Sequence, residues 1–262
     1  MNLKQITHQV AEVAIEVGSF IRAERQSFSH EKVKFKKSRS DLVSYVDKEA
    51  EQRILDKIDL FIPHAGYITE EQMIDQEEKE YTWIIDPLDG TTNFVHGIPN
   101  YCVSIGLMHQ SEIIAGVVYE VANDECFYAW KGGGAYNGNE KISVSKALKI
   151  EDVVLATGFP HYSFEKLDQY LKILNRLMKE TRGLRRMGSA AADMAYVACG
   201  RYGGFFEHNL NVYDIAAGVV LVKEAGGAVT DFKGATDYLF GRELVAGGGA
   251  QRRLLNVIMN FW

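Results

Sequence analysis

The chain is poor in the features that most quickly place a protein in a class. Its 262 residues include only 3 cysteines. Cys102, Cys126 and Cys199 are widely spaced and set in apolar contexts. An odd, scattered set does not make a disulfide or zinc framework and reads as reduced core thiols of a cytosolic protein. The 7 histidines form no HxxxH or HExxH pair, which makes histidine an unpromising metal anchor. No apolar run approaches the roughly 20 residues of a membrane span. At the N-terminus Leu3, Ile6, Val10, Val13, Val17 and Ile21 recur at helical spacing, with Glu12 and Glu16 between them. That is an amphipathic helix, not a signal peptide. Positive charge is also short: a net charge of −6 leaves no global electrostatic case for nucleic acid. There is no GxxxxGK[ST] loop, so a P-loop nucleotide site is not supported, and there are no repeats, low-complexity segments or clear linkers. With 47% hydrophobic residues the chain can build one large core or two modest ones.

What is present centres on Trp83-Ile84-Ile85-Asp86-Pro87-Leu88-Asp89-Gly90-Thr91-Thr92-Asn93. Three bulky apolar residues make a short buried-strand signal. Because Pro87 restricts the residue before it, Asp86 is expected to close that strand and the DPLD segment to form a turn. Gly90 permits close backbone approach, and Thr91 and Thr92 are candidate N-caps of a following helical turn. Two carboxylates and free N–H groups at a helix start suit a hard cation and a phosphate oxygen. The same residues, taken alone, would serve equally as an acidic turn capped by threonine.

Other acidic residues have local readings too. Asp47 precedes Lys48–Leu55, a helix reaching about Phe61, and reads as its N-cap. Glu70 and Glu71 end the short strand Tyr67–Thr69, where such pairs usually face solvent. Asp214 opens a helix running to Ala225 and reads as another N-cap, with Gly226-Gly227 as the stop. Residues 2–28 are expected to be helical. Lys32–Lys36 alternates as a strand or hairpin arm, and with Lys37 and Arg39 it forms the one dense basic patch. Tyr101–Met108 and Ile113–Val121 read as antiparallel strands, and Asn137-Gly138 as a hairpin turn. Thereafter strands (Val153–Thr157, Leu184–Met187, Gly203–Glu207) alternate with helices (Phe164–Lys179, Ala190–Ala198), which gives an α/β second half.

The phrase WIIDPLDGTTN followed by Phe94-Val95-His96-Gly97-Ile98-Pro99 resembles the first signature of the inositol monophosphatase family. Val212-Tyr213-Asp214-Ile215-Ala216-Ala217-Gly218, leading into Glu224-Ala225-Gly226-Gly227, is similar to the second. The intervening order, with Asp47, Glu70-Glu71, Gly188-Ser189-Ala190-Ala191 and Glu207, fits as well. The resemblance implies an α/β chain with an α+β first half, in the layered αβαβα sugar-phosphatase fold. Its domains would be 1–142, carrying Glu70 and DPLDGTT, and 143–262, carrying Glu207 and Asp214.

It further implies a magnesium-dependent phosphomonoesterase, with two to three ions per site and manganese as a possible substitute. Glu70, Asp86 and the Leu88 carbonyl would hold one ion. Asp86, Asp89 and Asp214 would hold a second, and a third would sit near Glu70 through water. Asp47 and Thr91, with Glu70, would serve catalysis by orienting an attacking water. Gly90 and Thr91 N–H groups would receive phosphate. Asp89, Gly188, Ser189, Ala190, Glu207 and Asp214 would line the alcohol side. Direct hydrolysis is expected, since aspartyl-phosphate chemistry of the haloacid dehalogenase type uses DxDGT and this chain has DxxDGT. Tyr213 and Thr69 depart from the Trp and Gly common in the family and leave the ligand set intact.

The expected substrate is inositol 1-phosphate. The same chemistry on NADP(H) 2′-phosphate, fructose 1,6-bisphosphate or 3′-phosphoadenosine 5′-phosphate is the alternative, with Lys36, Arg185 and Arg186 available for a second phosphate. Lithium inhibition, a homodimer and a cytoplasmic location are implied by the same resemblance, with no nucleic-acid or membrane partner. An added protein-binding role in regulation is the reading from a different class.

Overall fold

The computed structural model describes residues 1–28, 34–35, 42–43, 45–160 and 164–262, the two short pairs by their backbone alone. Helix α1 (Leu3–Gln26) starts at Asn2, whose side chain accepts from the Gln5 N–H at 3.2 Å. Its periodic aliphatics, from Ile6 to Ile21, are buried. Strands β1 (Lys34–Phe35) and β2 (Leu42–Val43) pair antiparallel. The rest of the basic arm, including Lys32, Lys36, Lys37 and Arg39, lies outside the described residues. Helix α2 (Tyr45–Ile58) packs on α1, and both cover one face of a sheet.

That sheet takes its strands in chain order: β3 (Gly66–Thr69), β4 (Tyr81–Asp89), β5 (Cys102–His109), β6 (Glu112–Glu120), β7 (Glu125–Trp130), β8 (Gly134–Asn137) and β9 (Glu140–Lys141). β3 and β4 are parallel and the later neighbours antiparallel. A short helix, α3 (Thr91–His96), follows β4. Residue Asn137 pairs with Glu140, so the expected hairpin turn is present at Gly138.

The second half contributes β10 (Val154–Thr157), α4 (Leu167–Glu180), β11 (Gly183–Arg185), α5 (Ala190–Ala198), β12 (Gly204–His208), α6 (Val212–Glu224), β13 (Ala228–Thr230), β14 (Glu243–Gly247) and α7 (Gln251–Met259). Its sheet runs β11-β10-β12-β14-β13, parallel across the first three and antiparallel around β14. Helices α5 and α6 lie between the two sheets, and α4 and α7 pack against the outer face of the second. The layers therefore alternate αβαβα, the α/β arrangement expected. No helix among the described residues is long and apolar enough to cross a membrane.

The middle layer explains the composition of α6. A helix with apolar residues on every side has to be enclosed on every side, and Ile215 through Val222 are all buried. Close approach to the first sheet is made possible by Gly106 and Gly116, which face each other across β5 and β6. A Cβ on Gly116 would stand 2.7 Å from the Ala217 Cα. Gly116→Ala is therefore expected to destabilise the fold by about 1–3 kcal/mol through overpacking. Denaturant unfolding checks this, and an unchanged midpoint would mean that the sheet–helix contact is looser than the geometry indicates.

Candidate active site

The DPLD segment is not a turn. Strand β4 continues through it to Asp89 as a bulge: Asp86 pairs with Ser104 and Asp89 with Cys102, so β4 has one residue more than β5 between those pairings. Pro87 fits there because it has no N–H to offer the ladder. The Leu88 N–H turns inward instead and donates to Asp86 Oδ1 at 3.0 Å. Side chains alternate along a strand, so an inserted residue brings positions three apart to the same side. Asp86 and Asp89 thus act on each other electrostatically, as the sequence spacing alone would not have arranged.

Asp89 reaches across to the second half. Its Oδ2 accepts from Ser189 Oγ at 2.7 Å and from the Ala191 N–H at 2.7 Å. Ser189 is the N-cap of α5, so the carboxylate sits where the positive end of the helix dipole favours it. Asn93 adds a second tie, donating to the carbonyls of Asn100 at 2.7 Å and Met187 at 2.8 Å. The cap of α3 is Gly90, at φ 96°, and not either threonine. A Cβ there would stand 3.0 Å from the Asn100 carbonyl, so both conformation and space require glycine.

Thr91 is instead the first helical residue, and its hydroxyl donates to Asp47 Oδ1 at 2.8 Å. Asp47 is not an N-cap either: it is the third residue of α2 and is 1% exposed. The strand pairing of β3 with β4 continues to Glu70, whose N–H donates to the Ile85 carbonyl at 3.1 Å and so places Glu70 beside Asp86. Asp214 was expected to cap α6, but Asn211 is the cap, and the Asn211 N–H donates to Asp214 Oδ2 at 2.6 Å. Glu207, on β12, packs flat on Gly158, where a Cβ would meet its carboxyl at 1.9 Å.

These groups surround a cleft of about 710 Å³. Glu70, Glu71, Asp89, Gly188, Ser189, Ala190, Glu207 and Asp214 line it, as do Lys48, Asp193, Arg186 and Arg242. Asp86 lies beneath it, 2% exposed. Asp47, Leu88, Gly90 and Thr91 are not among its lining residues, though Gly90 and Thr91, directly after Asp89, are partly exposed. Of the residues suggested for a second phosphate, Arg186 lines the cleft, Arg185 is exposed away from it and Lys36 is outside the described residues.

The electrostatics are one-sided. Burial pushes the Asp86 carboxyl well up, and Glu70, Asp89 and Asp214 add to the shift. Asp89 is raised to about 6 by burial, against the lowering effect of its bonds from Ser189 and Ala191. Asp214 is raised by burial and then by Asp89, with the Asn211 N–H opposing. Glu207 is pushed up to about 8, by burial first and Asp193 second, while Arg186 opposes. Carboxyls gathered in this way hold protons unless a cation is supplied. Their hard, oxygen-only donor set fits magnesium, manganese or calcium and not zinc. Among the described residues no three His, Cys, Asp or Glu side chains converge tightly enough, as they stand, to enclose an ion.

Asp193 was missed. It sits in α5, 2% exposed, with Oδ1 lacking a hydrogen-bond partner. Burial pushes its carboxyl up and Asp89 adds to the shift. The available signal was an acidic residue inside the otherwise apolar stretch Ala190–Ala198, since buried charge in a helix of that kind needs a reason.

The inositol monophosphatase family profile matches residues 2–260. An inositol-1-monophosphatase of Mesorhizobium japonicum is 43% identical over 224 residues, 85% of this chain and 84% of that protein. The Nus factor SuhB of Escherichia coli is 42% identical over 212 residues, 80% of this chain and 79% of that one. Among solved structures, the extragenic suppressor protein suhB of Bartonella henselae superposes with a TM-score of 0.90 at 39% identity. That superposition covers 97% of this chain and 98% of the other.

The raised carboxyls have a consequence for stability. Glu207 binds its proton more tightly in the folded chain (about 8) than at its ordinary value of 4.5. Its contribution is therefore fully present below the ordinary value and is lost as pH rises through the folded one. In chelator, the thermal midpoint of the wild type is expected to fall between about pH 5 and pH 8.5, and Glu207→Gln to flatten that fall. Parallel curves for the two proteins would show that Glu207 is not the group responsible.

Proposed function

We propose that this chain, which belongs to the inositol monophosphatase family and is a phosphatase, hydrolyses myo-inositol 1-phosphate to inositol and inorganic phosphate. The observation that carries this reading is the gathering of carboxylates at one cleft: Glu70, just past β3, Asp89 of β4 and Asp214 of α6 line it, and all three push up the buried Asp86 of β4. Family membership implies a divalent metal, and Glu70, Asp86, the Leu88 carbonyl, Asp89 and Asp214 would hold two to three magnesium ions, with manganese as a substitute. When bound, the ions neutralise phosphate charge and make a water more acidic.

The chain's own groups do the rest. The Asp47–Thr91 hydrogen bond fixes a hydroxyl and a carboxylate on one side, where they orient the attacking water. The N–H groups of Gly90 and Thr91 bind phosphate oxygens at the start of α3. Water oxygen forms a bond to phosphorus as the ester P–O bond breaks, with no phosphoenzyme, and the alcohol leaves with a proton. Asp89, Gly188, Ser189, Ala190, Glu207 and Asp214 hold the leaving alcohol. Glu207 supplies hydrogen-bonding capacity for sugar hydroxyls, while Ser189, whose hydroxyl proton is committed to Asp89, holds that carboxylate in place. Lithium sensitivity and a homodimer belong to the same reading.

Arg186 and Arg242 at the rim of the cleft favour a second possibility, a substrate with another anionic group. The similarity to Nus factor SuhB at 42% identity favours an added protein-binding role. A loss-of-function phenotype rescued by a catalytically dead Asp86→Asn chain would support that role.

The test is phosphate release in magnesium from inositol 1-phosphate, NADP, fructose 1,6-bisphosphate and 3′-phosphoadenosine 5′-phosphate. Selective turnover of inositol 1-phosphate is expected. Asp86→Asn should lower activity on the order of 10³-fold, equivalent to about 4 kcal/mol. Faster turnover of NADP or a bisphosphate would replace the substrate assignment. Wild-type turnover by Asp86→Asn would overturn the chemistry.

A further inference from the structure

Asp47, Glu51, Ile54 and Ile58 recur on α2 at intervals of four, three and four, and all four are buried. They share one side of the helix. Two carboxylates therefore stand in line with two core aliphatics. Glu51 is wholly buried, which is costly for a carboxylate unless donors meet it. Three do. Thr69 Oγ1 donates to Glu51 Oε1 at 2.8 Å, and the Met73 N–H donates to the same oxygen at 2.7 Å. The Glu71 N–H donates to Oε2 at 2.8 Å. These donors come from both sides of Glu70. Gln76 braces the same segment, accepting from the Thr69 N–H at 2.6 Å and donating to the Ile74 carbonyl at 2.6 Å.

We infer that Glu51 is a positioning residue that fixes the Thr69–Met73 segment and thereby sets where Glu70 stands against Asp86. The inference rests on the assignment of Glu70 as a metal ligand. It makes α2 a common reference for two parts of the site. Four residues before Glu51, the same helix carries Asp47, which receives the Thr91 hydroxyl. A glutamine at position 51 has the right shape and the wrong polarity. With its oxygen on Thr69 and Met73, its NH₂ faces the Glu71 N–H, donor against donor.

The test uses manganese as probe, followed by electron paramagnetic resonance, together with hydrogen exchange at individual amides. In Glu51→Gln the manganese dissociation constant is expected to rise about 10–100-fold, and the Glu71 and Met73 amides to exchange faster. Thr69→Val, which removes a single donor and keeps the side-chain shape, moves both readouts the same way by less and carries the test if Glu51→Gln does not fold. A merely structural role would lower the melting temperature and leave manganese affinity unchanged. Glu70→Gln separates two failures. If it binds manganese like the wild type, the assignment of Glu70 is wrong. If Glu70→Gln loses binding while Thr69→Val and any folded Glu51→Gln keep wild-type affinity, Glu51 does not position it.

Discussion

The interaction on which the rest depends is the Asp89 carboxylate seated on the N-terminus of α5. A carboxylate at a helix start answers N–H groups that have no partner within the helix. Here the Ala191 N–H and the Ser189 hydroxyl beside it belong to the middle helical layer, whereas the carboxylate belongs to the first sheet. One set of hydrogen bonds therefore joins the first sheet to α5, which packs on the second, and does so at the cleft. Because the bonds fall on Oδ2, the other oxygen of Asp89 is available to the cleft that the residue lines.

Around that contact the chain accumulates acid where apolar packing would be less costly. Asp86 is enclosed, and Asp193 and Glu207 crowd the same wall. Native stability is a small difference between large terms, so this arrangement has to be held by well-packed surroundings. The middle layer provides them: α6 is buried along its length, and Gly106 and Gly116 let it lie directly on β5 and β6. Rigid layers on either side keep mutually repelling groups within reach of one another, which is the condition for a cation site built from carboxylates.

Much of this was legible in the sequence. Helix α1 was readable from its apolar period, and α5 from Gly188-Ser189 at its start, to within a residue or two. The family resemblance, carried by two signatures, is matched over residues 2–260. What local reasoning got wrong has a common cause. Pro87 marks a departure from regular structure, and sequence cannot tell a turn from a bulge when the deciding partner is Ser104 on another strand. Asp47 and Asp214 look like caps because acidic residues favour helix starts, but each sits at the third helical position, where its carboxylate turns to groups outside its own backbone ladder or to the cap itself. Strand β14 escaped notice because a short apolar run such as Glu243–Gly247 carries no period that separates strand from helix; α7 was overlooked although Leu254, Leu255 and Ile258 recur at helical spacing. Glu51 and Asp193 belong to no motif. Burial on a helix face distinguishes both, and for Asp193 alone the sequence offers a trace of this in the apolar residues around it.

The central claim is that the carboxylates gathered at the cleft form a cation site. Anomalous diffraction from crystals soaked in manganese tests it most directly. Peaks bounded by Glu70, Asp86, Asp89 and Asp214 are predicted. Manganese bound only elsewhere on the chain, or no ordered manganese at all, would contradict the account.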